Sequence, residues 1–228
     1  MPPTIADNLR KVNERIAAAA ARAGRAPQDV ALVAVAKTRT AAEVAAAVAA
    51  GVTIIGENRV QEAAAKIAEL AGLSCSWHLV GHLQRNKAAR AVELFDVIHS
   101  LDSRRLADAL GRRAAEVGKT VEVLLEVNTS GEETKFGVRP DDAEDFAGYA
   151  AAAANIRVCG LMTVGPLGGD AATGRQAFRT LRRLFERLAP SLGNAFRFLS
   201  MGMTDDFEAA IAEGSNMVRI GRAIFGPR

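Results

Sequence analysis

Two ends of the sequence carry residues suited to covalent chemistry on an aldehyde and to holding a phosphate. Lys37 closes the apolar run ALVAVAK that starts at Ala31. Side chains alternate along a strand, so Val33, Val35 and Lys37 share one face while Leu32, Ala34 and Ala36 share the other. A lysine at the mouth of an apolar strand loses its proton more readily than a surface lysine, because burial disfavours the ammonium, and a neutral amine attacks an aldehyde to form a Schiff base. The competing reading is a lysine that only pairs with a carboxylate. At the other end stand Ser200-Met201-Gly202-Met203 and Arg219-Ile220-Gly221-Arg222. Small residues let backbone N–H groups approach phosphate oxygens, a serine hydroxyl adds a donor and arginine adds charge, unless these glycines serve only to close tight turns.

Three further stretches fall near strand ends: Gly56-Glu57-Asn58, Trp77 to Lys87, and Gly160-Leu161-Met162-Thr163. They suit the walls of a ring-shaped pocket, with Asn58 bonding a ring substituent and Met162 either packing on a flat face or filling the core. His78 and His82 have the spacing of a helical metal pair, but a strand spreads them about 13 Å apart, so no metal site is expected.

The elements that must position these groups follow from hydrophobic periodicity. Eight short apolar runs alternate with alanine-rich helical stretches: ALVAVAK from Ala31, VTIIGE from Val52, SWHLVG from Ser76, DVIHSL from Asp96, VEVLLEVN from Val121, IRVCGLMTV from Ile156, FRFLSMG from Phe196 and NMVRIGR from Asn216. The pattern predicts a (β/α)8 TIM barrel with an extra amphipathic N-terminal helix. An open doubly wound sheet is the alternative, but no G-x-G-x-x-G follows the first strand, where Lys37-Thr38-Arg39-Thr40 stands instead. Barrel closure sets the first strand beside the last, bringing Lys37 to the phosphate candidates. Neither Gly131 nor Gly168-Gly169 is flanked by a linker-like tract, so residues 1–228 are expected to form one domain.

The 228 residues are 49% hydrophobic and 24% charged, with a formal charge of +3. Arginines are dispersed among Ala, Leu and Asp without interleaved aromatics, which argues against nucleic acid as a partner. No run reaches membrane-spanning length and the N-terminus lacks the apolar core of a secretory signal, so a cytoplasmic protein is expected. Cys75 and Cys159, far apart and without nearby histidines at ligand spacing, suit reduced structural thiols.

Six blocks in order then carry a family resemblance: VAVAKT around Lys37, IGENRVQE from Ile55, WHLVGHLQRNK from Trp77, VNTSGEETKFG from Val127, GLMTV from Gly160, and LSMGMTDDFEAAIAEGSNMVRIGRAIFG from Leu199. The chain resembles the pyridoxal 5'-phosphate homeostasis proteins, also called the YggS or PROSC family. The resemblance implies a barrel of the alanine-racemase type with Lys37 as the cofactor lysine. By the same resemblance Ser200, Met201, Gly221 and Arg222 surround the phosphate and Arg219 faces the pyridine nitrogen. An arginine there keeps the ring unprotonated and weakens the electron sink that an aspartate would strengthen. The chain departs from the family at His82, where members often have proline, and at Arg222, where they often have threonine.

A two-base racemase needs a second acid or base, which racemase relatives take from a tyrosine on a separate C-terminal domain. The single tyrosine here, Tyr149, falls in a helical stretch after the fifth strand. The expectation is therefore a non-catalytic carrier that stores or delivers pyridoxal phosphate, as a monomer with transient contacts to apo-enzymes. The alternative is a small pyridoxal-phosphate-dependent amino-acid racemase or lyase. Lys135, in the TKFG stretch, is either a second amine that accepts cofactor during transfer or a solvated loop lysine.

Overall fold

Each apolar run becomes a strand in the computed structural model, and each strand is followed by a helix. The structure describes residues 3–132, 134–166 and 171–227, so Gly168-Gly169 lie outside the described residues. An N-terminal helix, α1 (Ile5–Arg22), precedes β1 (Ala31–Val35), α2 (Ala41–Ala49), β2 (Ile54–Glu57) and α3 (Val60–Glu69). The chain continues through β3 (Ser76–Leu79), α4 (Ala88–Leu94), β4 (Val97–Leu101), α5 (Arg104–Glu116), β5 (Val121–Glu126), α6 (Ala143–Ala152) and β6 (Ile156–Met162). It ends with α7 (Ala171–Leu192), β7 (Phe198–Ser200), α8 (Phe207–Ala212), β8 (Met217–Ile220) and α9 (Arg222–Phe225).

The extra helix begins where Thr4 and Asp7 cap each other. The Thr4 hydroxyl accepts from Asp7 N at 3.1 Å, and the Asp7 carboxylate accepts from Thr4 N at 3.2 Å. Leu9, Val12, Ile16, Ala19 and Ala20 recur at helical spacing and form its buried stripe, which packs on α2, α8 and α9.

All strands are parallel and the sheet closes, excluding the open layout. The closing pair is β1 with β8, in the register Ala31 opposite Met217 and Val33 opposite Arg219. Alternation then sorts side chains into two cores. Val33, Val97, Leu124, Cys159, Met162 and Met217 pack inside the barrel. Ala34, Ala36, Ile55, Leu79, Ile98, Leu161, Met201 and Val218 face the helices.

Between β5 and β6 the register slips, Val123 pairing Val158 while Leu124 pairs Gly160, so Cys159 is the extra residue of a bulge. The next strand passes so near that a Cβ on Gly160 would lie 1.9 Å from the Phe198 carbonyl oxygen. Gly160→Ala must separate β6 from β7, and urea denaturation is expected to show a loss of about 3 kcal/mol. Unchanged stability would contradict this packing.

Candidate functional site

Lys37 stands two residues past β1, in a turn closed by Arg39 N donating to the Ala36 carbonyl at 3.0 Å. Thr38 within that turn has φ 65°, a left-handed conformation that a β-branched residue adopts only under constraint. The constraint comes from both sides. Thr38 N donates to the Glu62 carboxylate at 3.3 Å, and the Arg39 guanidinium donates to the carbonyls of Gly226 and Pro227 at 2.6 and 2.9 Å. Immediately beyond, Thr40 and Glu43 cap α2 reciprocally.

A cavity of about 380 Å³ opens at the C-terminal ends of the strands. Val35, Val80 and Val164 give it apolar walls, and Lys37, Asn58, Arg219, Gly221 and Arg222 line it as well. Asn58 is held by close packing, since a Cβ on Gly81 would lie 2.3 Å from its carbonyl oxygen. Gly221 approaches β1 so closely that its Cβ would meet the Val35 carbonyl oxygen at 3.0 Å. The Arg222 side chain turns outward to pair with Asp205, which also lines the cavity.

Arg219 is 5% exposed. It donates to Ser200 Oγ at 2.7 Å and to the Thr163 carbonyl at 2.8 Å. Burial pushes its pKa down to about 10, opposed by the charges of Glu126 and Asp206, so it stays a cation at neutral pH. A guanidinium only donates, so Ser200 Oγ accepts from Arg219 and keeps its own proton for His99 Nδ1, 3.2 Å away. That acceptor role puts the His99 proton on Nε2, from which it is donated to His78 Nδ1 at 2.9 Å. Burial pushes His78 down to about 4 and His99 well below its ordinary value, in keeping with two neutral rings.

Three sequence candidates sit apart from the residues lining the cavity, and one expectation, a solvated Lys135, needs correction. The Ser200 hydroxyl is fully buried in this ladder, and Met201 packs against the helices while its N–H donates to the Met217 carbonyl at 3.1 Å; neither is among the cavity-lining residues. The chain after β7 instead lines the cavity through Met203, Thr204 and Asp205. Met162, 1% exposed, belongs to the barrel interior: bulge and alternation turn it inward, the core-filling alternative. Lys135 is not solvated, because its Nζ donates to the Gly165 carbonyl at 2.8 Å and pairs with the Glu132 carboxylate at 2.8 Å. Tyr149 behaves as expected, sitting on α6 with its hydroxyl donating to Asp108 at 2.6 Å, outside the barrel. His99 and Glu126 went unremarked in the sequence; a polar residue inside an otherwise apolar strand was the available signal.

A parallel eightfold barrel with a lysine past its first strand and an arginine on its last defines the class of alanine-racemase-like barrels. The alanine racemase N-terminal domain family matches residues 7–228. The pyridoxal phosphate homeostasis protein of Pseudomonas aeruginosa is 44% identical over 225 residues, covering 99% of this chain and 96% of that protein. Among solved structures, an unknown protein from Bifidobacterium adolescentis superposes with a TM-score of 0.89 at 43% identity, covering 96% of this chain and 94% of that one. PipY of Synechococcus elongatus PCC7942, solved with PLP bound, gives 0.85 at 38% identity over 98% of this chain and all of that one. The chain belongs to the alanine racemase N-terminal domain family and, within it, to the pyridoxal phosphate homeostasis proteins.

The neutral histidine ladder has a pH signature. His78 titrates near 6.5 when unfolded and near 4 when folded, so the unfolded chain takes up the proton first. This contribution is complete above about pH 6.5 and is lost as pH falls towards 4, on the order of 3 kcal/mol. The stability difference between wild type and His78→Asn, from urea unfolding at pH 7 and pH 4.5, is therefore expected to shrink on acidification. A pH-independent difference would rule the neutral ladder out.

Proposed function

We propose that this chain binds pyridoxal 5'-phosphate at the barrel mouth, attached through Lys37, and stores or delivers it rather than turning over amino acids. One observation carries the reading: the β1–β8 pairing gathers an amine, a buried guanidinium and a glycine turn around one cavity. The donor set suits the cofactor. Lys37 supplies the amine for an aldehyde, Asn58 supplies an amide for a ring substituent, and Gly221, which lines the cavity where α9 begins, offers its backbone to a phosphate. Thr204 adds a hydroxyl to the lining, and the Arg222 backbone is available there while its side chain pairs with Asp205. The PLP bound to PipY, a relative alike in fold and 38% identical, supports the assignment.

The bound cofactor supplies a reactive aldehyde and a ring able to accept electrons. Arg219 acts against the second property. It has no lone pair and stays charged at neutral pH, so it cannot share a proton with a facing ring nitrogen as a carboxylate would. Ser200 and Thr163 hold the guanidinium in place, and the His99–His78 pair fixes the Ser200 hydroxyl. Tyr149 is engaged with Asp108, the described cavity lining contains no tyrosine, histidine or cysteine to serve as a second base opposite Lys37, and its one carboxylate, Asp205, is paired with Arg222. We read the protein accordingly as a cytoplasmic, monomeric carrier that contacts apo-enzymes transiently. No helix among the described residues is long and apolar enough to cross a membrane.

Carrier and enzyme part company in a direct comparison. Loaded protein is mixed with an apo-enzyme in the presence of a scavenger of free pyridoxal phosphate, and activation is expected to outpace spontaneous release. Incubation with single amino-acid enantiomers should leave optical rotation unchanged. Sustained racemisation or cleavage, abolished in Lys37→Ala, would replace the carrier with a small racemase or lyase.

A further inference from the structure

Three successive strand ends place His82, Asp102 and Glu126 together, on the side of the mouth across from the β8–β1 seam. None of the three is among the residues lining the cavity that holds Lys37. One ligand atom from each lies within 4.8 Å of the others, and His82 Nδ1 is 3.3 Å from Asp102 Oδ2. The cluster runs from surface to interior: the side chains of His82 and Asp102 are 29% and 14% exposed, and Glu126 is 7% exposed. Phe136 stacks on the His82 ring at 3.6 Å and 10°, restricting the ring plane.

A proton shared between His82 and Asp102 accounts for that pair and leaves the third member unexplained. Glu126 Oε2 is buried and has no hydrogen-bond partner among the described residues. Arg219 does not supply it a bond; the guanidinium's bonds described above run to Ser200 and Thr163. A buried carboxylate with one undonated oxygen, set in a cluster with an imidazole and a second carboxylate, is an incomplete coordination set.

We propose that His82, Asp102 and Glu126 form a binding site for a divalent transition-metal ion. Ligands about 2.1 Å from one ion stand roughly 3.0–3.4 Å apart at octahedral or tetrahedral angles, and the His82–Asp102 separation matches. One imidazole nitrogen with two carboxylates suits Mn2+, Fe2+ or Zn2+ better than Ca2+ or Mg2+, which favour all-oxygen shells. The spacing along one strand that argued against His78 and His82 as a pair does not apply, because the partners of His82 come from β4 and β5.

Equilibrium dialysis of the full-length protein against Mn2+ alone, and separately Zn2+ alone, tests the site by metal content. One ion per chain is expected. His82→Ala and Glu126→Gln should each weaken binding about ten-fold or more, while Lys37→Ala, which removes the attachment point for a metal-chelating cofactor, should leave it unchanged. Because His82 lies nearest the surface, its variant decides the matter if Glu126→Gln does not fold. Absence of stoichiometric binding, binding indifferent to His82→Ala, or binding lost with Lys37→Ala would each overturn the site.

Discussion

Pairing of β1 with β8 is the constraint on which the rest of the molecule depends. Residues 31–34 and 217–220 lie far apart in the chain, yet their register sets Val33 beside Arg219. From that register Lys37 emerges above the barrel on one strand while Gly221 and Arg222 turn over it on the next, with Arg219 below them. The seam admits little variation, because any side chain at Gly221 would press on the Val35 carbonyl. Closure also abolishes the exposed edges an open sheet would carry.

A second constraint follows from placing a guanidinium inside that barrel. Burying an unpaired charge costs several kcal/mol, so Arg219 must be supplied with acceptors and opposing charge. Ser200 Oγ and the Thr163 carbonyl supply the first, and Glu126 and Asp206 supply the second. The acceptor role of Ser200 propagates to His99 and His78 and fixes two tautomers. What looks like a set of independent polar residues on β3, β4, β7 and β8 is one network serving one cation.

The architecture was legible in the sequence because its signal is local. Each strand is a short apolar run and each helix an alanine-rich stretch, and alternation along β1 alone separated Val33 and Lys37 from Ala34 and Ala36. Lys37, Asn58, Arg219, Gly221 and Arg222 were legible for the same reason, as polar or small residues at strand ends. The burial of Ser200, Met201 and Met162 was not legible, because their orientation depends on tertiary detail. Met162 follows a bulge at Cys159 that composition does not announce, and Ser200 is drawn inward by an arginine 19 residues later. His99, Glu126 and the partners of His82 were missed since their meaning arises only between strands.

The central claim, that this barrel presents Lys37 as the attachment point for pyridoxal phosphate, is tested most directly by borohydride reduction. Protein with added cofactor is reduced, digested and mapped by peptide mass spectrometry, with absorbance recorded before and after. The account predicts loss of the visible absorbance band and a single reduced adduct on the peptide containing Lys37. No adduct, or adducts scattered over surface lysines, would contradict it.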